Sequence, residues 1–202
     1  MFTGLIREIA QASLKNSNLL EISASYKPNI GDSIAVNGAC LTVVKKSNNS
    51  FFVELSHESK KVIETDNLNA KVHIEPAMKL SDRIEGHIIQ GHIDCKGIIV
   101  KIQKNENNYD FYIAVPKEYI KFIIPKGSIA VDGVSLTINE VFNDSFRLTI
   151  IPHTVKNTLF NDYRLNKVVN IETDMFARYI YHIFKAKKSL SWNEVDNIMA
   201  KW

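Results

Sequence analysis

Short hydrophobic segments separated by turn signals make up most of the chain. Runs of four to six residues rich in β-branched and aromatic side chains occur at 33–36, 41–45, 50–55 and 72–75. Such residues are enriched in strands, and the intervening Gly, Asn and Asp residues are typical of turns. Asn37-Gly38 and Asp132-Gly133 are the strongest turn signals, because both dipeptides accept the positive φ angles of a tight hairpin. The pattern predicts antiparallel strands joined by hairpins.

The chain also contains an internal repeat. Residues 32–43 (DSIAVNGACLTV) return 95 positions later as residues 127–138 (GSIAVDGVSLTI), with 7 of 12 positions identical. Residues 51–59 and 71–75 lie over 146–154 and 168–172, and residues 4–6 can be laid over 91–93 at an offset of 87. Several short strands in each copy, with little helical pattern between them, predict a closed antiparallel barrel in each half. Closure would also hide the strand edges.

The hydrophobic period changes after Glu172. Apolar side chains then recur at the spacing of an amphipathic helix, at Phe176, Tyr179, Ile180, Ile183 and Phe184. This apolar face needs a cover, either a barrel of its own chain or the same helix of other subunits, and we favour self-association. A second short helix is predicted from a Ser191 cap to Trp202.

Composition narrows the class of protein. The 202 residues carry 25 basic and 22 acidic side chains, and neither sign collects into a block that would bind nucleic acid. Two cysteines, Cys40 and Cys95, are too few for a disulfide-rich secreted domain and do not match a zinc ribbon. The sequence shows neither a signal-like start nor an apolar run of about 18 residues. We expect a cytoplasmic protein with a small-molecule ligand and without a nucleic-acid or membrane partner.

Several segments together resemble the riboflavin synthase family, whose barrels form the lumazine-binding repeat. They are the opening MFTG, the paired NGACLT and DGVSLT segments, residues 81–94 (SDRIEGHIIQGHID), residues 151–154 (IPHT) and residues 171–174 (IETD). The resemblance covers nearly the whole chain. It implies a mainly β fold: two tandem homologous Greek-key antiparallel β-barrels related by a pseudo-two-fold axis, at 1–87 and 88–174. A C-terminal α-helix follows, in a helical oligomerisation tail at 175–202.

The resemblance also implies a reaction. In that family two molecules of 6,7-dimethyl-8-ribityllumazine exchange a four-carbon unit, which yields riboflavin and a ribitylaminopyrimidinedione without a cofactor or a metal. Each barrel binds one substrate molecule. The reacting pair meets between the N-terminal barrel of one subunit and the C-terminal barrel of another, usually in a homotrimer. Association with lumazine synthase is a further hypothesis.

Carried over residue by residue, the family's substrate contacts form one set for each barrel. The set of the N-terminal barrel is Gly4, Leu5, Ile6, Cys40, Leu41, Thr42, Glu54, Leu55, Ser56, His57, Glu58 and Ser59. The set of the C-terminal barrel is Gly91, His92, Ile93, Lys126, Ser135, Leu136, Thr137, Ile150, Ile151, Pro152, His153, Thr154 and Val155. Backbone groups are expected to pair with the pteridine ring, and polar side chains with the ribityl chain. The chain departs from the family at His153, where glutamate is frequent, and at His57, where a basic residue is frequent.

The two copies differ where the chemistry needs unlike groups. Cys40 corresponds to Ser135, and Leu5 to His92, and a thiol and a hydroxyl differ in acidity and nucleophilic strength. The predicted catalytic residues are Cys40, His92, Ser135, Thr137, Asp174 and Phe2. Phe2 is expected to pack over a substrate ring. The structural alternatives are a small core residue for Cys40, an acid at a helix start for Asp174 and a barrel plug for Phe2.

Other candidates are weaker. Glu172 ranks below Asp174, and Ser33 is more simply a hydrogen bonder at a strand start. A metal site at His87 and His92 is not expected, because no third ligand stands at a helpful spacing.

Two other functions are considered. A lumazine protein shares the doubled barrel and carries one chromophore without reacting it, but both half-sites of this chain retain their polar residues. A flavin-dependent oxidoreductase would need a nucleotide-binding domain with a glycine-rich loop, and the sequence has neither.

Overall fold

The computed structural model describes residues 1–186, which form two closed six-stranded barrels and a terminal helix. The strands of the first barrel are β1 (Glu8–Leu14), β2 (Leu19–Ser23), β3 (Ser33–Val36), β4 (Ala39–Lys46), β5 (Ser50–Glu54) and β6 (Lys71–Pro76). Those of the second are β7 (Cys95–Asn105), β8 (Asn108–Ala114), β9 (Ser128–Val131), β10 (Val134–Val141), β11 (Ser145–Ile150) and β12 (Val168–Thr173). The helices are α1 (His57–Val62), α2 (Lys117–Ile120), α3 (Pro152–Asn157) and α4 (Met175–Ala186), with short 3-10 turns at Asp66–Asn69 and Leu159–Asn161. The predicted mainly β fold class is confirmed.

Both barrels have the same strand order. Neighbouring strands of the first run β1-β2-β5-β4-β3-β6, and those of the second run β7-β8-β11-β10-β9-β12, with the last strand of each closing on the first. Strands β3, β4 and β5 follow one another and β6 returns beside β3, which is a Greek-key arrangement. The pairing of β4 with β5 shifts register after Val43, and that of β10 with β11 shifts after the equivalent Ile138. The duplication therefore extends to backbone detail.

The two predicted hairpins are confirmed. The φ angles are 44° and 83° at Asn37 and Gly38, and 45° and 82° at Asp132 and Gly133. Two successive positive angles are the requirement of a type I′ hairpin turn. The turns also pack against each other where the barrels meet, since a Cβ atom on Gly38 would lie 2.8 Å from the backbone nitrogen of Gly133. Glycine is therefore needed both for the turn and for the contact between barrels.

Each barrel has its own hydrophobic core, with Phe51 among the largest buried side chains of the first and Phe146 of the second. A third, small cluster lies between the barrels and is formed by Phe2, Ala35, Ile89 and Ala130. Phe2 has no exposed surface, and its backbone exchanges two hydrogen bonds with Ile89, of 2.8 and 3.0 Å. The N-terminus is thereby fastened across the junction of the barrels.

His73 and Asn170, which occupy equivalent positions in the repeat, also join the barrels. Asn170 Nδ2 donates to the carbonyl of Asn37 over 2.9 Å, and His73 Nδ1 lies 2.9 Å from the carbonyl of Asp132. The second polar atom of each side chain accepts a hydrogen bond from a backbone N–H of the other barrel, at 2.7 Å in both cases. These partners require the neutral Nδ1–H tautomer of His73. Burial lowers the pKa of His73 to about 4.

The predicted terminal helix is confirmed as α4. On one side, Tyr181 packs edge-on against Phe122 with ring centroids 5.2 Å apart, and Arg178 pairs with Asp94 at 2.5 Å. The apolar side chains predicted from the sequence each expose more than half of their surface: Phe176, Tyr179, Ile180, Ile183 and Phe184. Packing on its own barrel therefore leaves the apolar stripe of α4 largely exposed.

Two expectations from the sequence stay predictions. The second helix predicted at 191–202 falls outside the described residues, and the division between domains at residues 87 and 88 stays a prediction. Within residues 1–186, no helix has the length and apolar character needed to cross a membrane.

Candidate active site

Two short segments cross from one barrel to the other. Residues 4–6 precede β1 of the first barrel, yet the Gly4 carbonyl accepts a hydrogen bond from the Ser135 N–H of β10 over 3.0 Å. Residues 91–93 precede β7 of the second barrel, and the Gly91 carbonyl accepts from the Cys40 N–H of β4 over 2.8 Å. The sequence-based grouping of residues 4–6 with Cys40, and of 91–93 with Ser135, is therefore wrong. Each barrel receives the opening segment of the other.

Glycine is required at both crossing points. The φ angles of Gly4 and Gly91 are 81° and 80°, in the left-handed region that other residues rarely adopt. A Cβ atom on Gly4 would lie 2.5 Å from the Cβ of Ser135, and one on Gly91 would lie 2.6 Å from the Cβ of Cys40. The close approach of the backbones is possible because neither glycine has a side chain.

In each barrel, a buried glutamate on the last strand binds the backbone of the segment that precedes the first strand of that barrel and crosses to the other barrel. Glu75 of β6 accepts hydrogen bonds from the N–H of Thr3 (2.7 Å), its hydroxyl (2.9 Å) and the N–H of Gly4 (3.0 Å). Glu172 of β12 accepts from the N–H groups of residues 90–92 at 2.7, 2.9 and 3.0 Å. Burial raises the pKa of both carboxyl groups, that of Glu172 to about 7. Glu172 therefore positions the backbone of residues 90–92.

Segment 4–6, β10 and α3 line a cavity of about 590 Å³, the Ser135 cavity. The predicted site residues that line it are Gly4, Leu5, Ile6, Ser135, His153 and Thr154. Sequence reasoning missed the other lining residues, which are Arg7, Glu8, Ile9, Val134, Lys156, Asn157 and Thr158.

Segment 91–93, β4 and α1 line the equivalent cavity of about 300 Å³, the Cys40 cavity. The predicted site residues that line it are Cys40, Glu58, Ser59, Gly91, His92 and Ile93. The remaining lining residues are Ala39, Val62 and Ile63. Each residue that lines the Cys40 cavity has its repeat equivalent in the lining of the Ser135 cavity, so the cavities are two versions of one site. The Ser135 cavity has four further lining residues, which are Arg7, Glu8, Ile9 and Lys156.

The sequence analysis weighed His87 only as a metal ligand and gave it no catalytic role. Its Nδ1 lies 2.7 Å from the Ser135 hydroxyl oxygen. Burial lowers the pKa of His87, while the negative charge of Asp174 acts in the opposite sense. A neutral imidazole in this position is placed to accept the Ser135 proton, which is the arrangement of a general base. Within residues 1–186 the Cys40 thiol has no hydrogen-bond partner, and His92 lines the Cys40 cavity away from this pair.

Several predicted site residues have structural roles in the single chain. Leu41, Leu55 and Ile150 are buried in the barrel cores. The expectation that Phe2 packs over a substrate ring does not hold in this structure, because the ring is buried between the barrels.

Two further candidates cap helices. Ser56 caps α1 by accepting from the Ser59 N–H over 2.9 Å, and Asp174 caps α4 by accepting from the Phe176 N–H over 2.8 Å. The other predicted residues that line neither cavity are Thr42, Glu54, His57, Lys126, Leu136, Thr137, Ile151, Pro152 and Val155.

Comparison with known proteins defines the class. The model of the lumazine binding domain family matches residues 3–77 and 90–174, one match for each barrel. The solved structure of LumP complexed with riboflavin has a TM-score of 0.75 at 22% identity and covers 86% of this chain and 100% of LumP. LumP complexed with 6,7-dimethyl-8-(1'-D-ribityl) lumazine gives 0.72 at 20% identity, with 86% and 99% covered. The fold is that of a protein with two lumazine-binding domains.

Curated relatives specify the family further. Riboflavin synthase of Photobacterium phosphoreum is 38% identical over 93% of this chain and 91% of its own length. Riboflavin synthase of Bacillus subtilis (strain 168) is 36% identical over 90% of this chain and 88% of its own length. The chain belongs to the riboflavin synthase family. It is an enzyme of riboflavin biosynthesis, a transferase, and the predicted family is confirmed.

Proposed function

We propose that each cavity binds one molecule of 6,7-dimethyl-8-ribityllumazine and that the two molecules react across the interface of two subunits. The observation that carries this proposal is the matched pair of cavities, one with Ser135 and one with Cys40. Riboflavin and 5-amino-6-ribitylaminopyrimidinedione together account for every atom of two substrate molecules. Holding both reactants in register contributes on the order of 7 to 11 kcal/mol through prearranged entropy.

In the Ser135 cavity, Ser135 and His87 are our candidates for moving a proton from the acidic methyl group of one substrate. The serine oxygen takes the methyl proton as its own proton passes to His87 Nδ1, 2.7 Å away. The negative charge of Asp174 then stabilises the imidazolium that forms, since this charge already raises the pKa of His87. The backbone of residues 4–6 contacts the pteridine ring, and polar side chains of α3 contact the ribityl chain.

In the Cys40 cavity, the thiol is our candidate for addition to a ring carbon of the second substrate, because a thiol is the stronger nucleophile of the two equivalent groups. His92 lines the same cavity and passes the proton that the thiol gives up to the ring nitrogen of the substrate. Thr137 is exposed two residues after Ser135 on β10, and we assign it to the substrate held by the facing subunit. The remaining carried-over contacts stay predictions for the assembled site.

We further propose that the active assembly is a cytoplasmic homotrimer held together by α4. The exposed apolar stripe of α4 supports self-association, and the two free cysteines, Cys40 and Cys95, support a reducing compartment. Light scattering tests the assembly: Ile180→Glu on the stripe should give monomers, whereas Lys185→Glu on the same helix should not. A trimeric Ile180→Glu variant would contradict it. Association with lumazine synthase remains a prediction for co-purification.

A non-catalytic lumazine or flavin carrier of the same fold is the alternative function. A carrier needs one working cavity, whereas both cavities of this chain are lined by polar residues. Incubation with 6,7-dimethyl-8-ribityllumazine distinguishes the two, since the enzyme releases one riboflavin for every two substrate molecules consumed. A lumazine that binds and stays unreacted would establish the carrier.

A further inference from the structure

The two cavities differ in charge along their helices. His153 of α3 and Glu58 of α1 occupy the same repeat position, as do Lys156 and Lys61. Lys61 Nζ lies 3.2 Å from the Glu58 carboxylate. Lys156 lines the Ser135 cavity and has no acidic partner among residues 1–186. Replacement of glutamate by histidine therefore leaves a free ammonium group at the Ser135 cavity.

The crossing segments also differ in charge between the two cavities. Arg7 lines the Ser135 cavity without an ion-pair partner in residues 1–186, whereas the equivalent Asp94 pairs with Arg178 and lies outside the Cys40 cavity lining. Glu8 also lines the Ser135 cavity, but its carboxylate accepts from the N–H of Ser25 (2.7 Å) and from its hydroxyl (2.8 Å). The Ser135 cavity is therefore lined by two cations and one hydrogen-bonded carboxylate, whereas the Cys40 cavity is lined by one carboxylate and by no lysine or arginine.

We propose that the Ser135 cavity also accepts a ribityl ligand with a terminal phosphate, and that the Cys40 cavity rejects it. This inference rests on the proposed binding of ribityl compounds in both cavities. The guanidinium of Arg7 and the ammonium of Lys156 are phosphate-binding groups, and the phosphate sits at the end of the ribityl chain opposite the ring. In the Cys40 cavity the same phosphate would meet Glu58. A phosphorylated flavin would therefore displace one of the two reacting molecules and inhibit the enzyme.

The test compares riboflavin with riboflavin 5′-phosphate as ligands of the full-length protein. Flavin fluorescence titrations at low salt should give about tenfold tighter binding of the phosphorylated flavin, with the preference shrinking at high salt. The double variant Arg7→Gln/Lys156→Gln should bind riboflavin 5′-phosphate no more tightly than riboflavin, so that the preference is lost. The matched control, Lys61→Gln at the position of α1 equivalent to Lys156, should retain the preference.

Each result has a distinct meaning. Riboflavin binding without a preference for the phosphate, or a preference that survives in the double variant, overturns this inference and leaves the proposed function standing. Failure of both flavins to bind the wild-type protein removes the inference together with the proposed ligand class of the cavities.

Discussion

The Ser135 cavity and the Cys40 cavity share their backbone and differ in their side chains. In both, a glycine with φ near 80° brings a crossing segment against the first residues of a barrel strand, and a buried glutamate holds that segment. The Ser135 hydroxyl has His87 as a hydrogen-bond partner, while the Cys40 thiol has none in the part of the chain described. The two cavities therefore share the backbone arrangement that the duplication produced, and they differ in their reactive side chains because the two copies have diverged.

The exchange of segments adds a second lesson. Neither barrel completes its cavity with its own opening segment, so each site depends on the docking of the two barrels. The contacts at the junction, from Phe2 to the His73 and Asn170 hydrogen bonds, therefore contribute to the sites as well as to stability. Damage to the junction should affect both cavities together.

The largest expected effect comes from breaking a crossing point. Gly91→Ala should lower the free energy of unfolding by about 4 kcal/mol, because it adds left-handed backbone strain to a Cβ atom that would lie 2.6 Å from the Cys40 Cβ. Gly31→Ala is the matched control, since Gly31 has φ of 91° with nothing within 4 Å of the added atom, and should cost about 1 kcal/mol. Urea denaturation measures both. Equal costs for the two variants would remove the claim that close approach demands the glycine.

The next effect concerns the pH dependence of the junction. Because the pKa of His73 falls from 6.5 to about 4 on folding, the unfolded chain binds this proton first as the pH falls. His73 should therefore cost the protein up to about 3 kcal/mol of stability between pH 6.5 and pH 4. His73→Asn, which copies the equivalent Asn170, should lose that dependence.

The measurement is the difference in unfolding free energy between wild type and His73→Asn across this pH range. A difference is needed because the raised pKa values of Asp132 (about 6) and Glu172 (about 7) act with the opposite sign, lowering stability as the pH rises. A difference that stays constant with pH would show that His73 does not titrate as described.

A smaller effect separates the two cavities in catalysis. Ser135→Ala and His87→Gln should each lower kcat about 100-fold, and the double variant should lose no more than either, because the two groups act as one unit. His92→Ala combined with Ser135→Ala should instead give the product of the separate losses, since His92 lines the other cavity. Steady-state riboflavin formation measures all of these. Independent effects of Ser135 and His87 would contradict the pairing.

Much of the fold could be predicted from the sequence because the repeat is local and regular. Asn37-Gly38 and Asp132-Gly133 specify hairpins through their own φ angles, and the helical spacing from Phe176 specifies α4. The first two strands of each barrel lie outside the strongest repeat segments, and sequence reasoning did not assign them individually. The Glu75 and Glu172 anchors were visible as matched ends of the KVHIE and VVNIE segments.

The site was less predictable because it depends on how the barrels dock. Nothing in the spacing of residues 4–6 and 91–93 reveals that they exchange barrels, since the exchange is made by contacts such as that from the Ser135 N–H to the Gly4 carbonyl. His87 was considered only as a metal ligand beside His92, whereas in the fold His87 pairs with Ser135 and His92 lines the Cys40 cavity.

Protection of Cys40 from alkylation tests the exchange of segments most directly. Cys40 is partly exposed at its cavity, whereas Cys95 is buried and burial raises its pKa to about 12, so an alkylating reagent should modify Cys40 alone. Bound riboflavin should slow this reaction in the wild type. The account predicts that His92→Ala abolishes the protection and that Leu5→Ala, at the equivalent repeat position, leaves it intact. Loss of protection in Leu5→Ala with retention in His92→Ala would show that each barrel keeps its own segment.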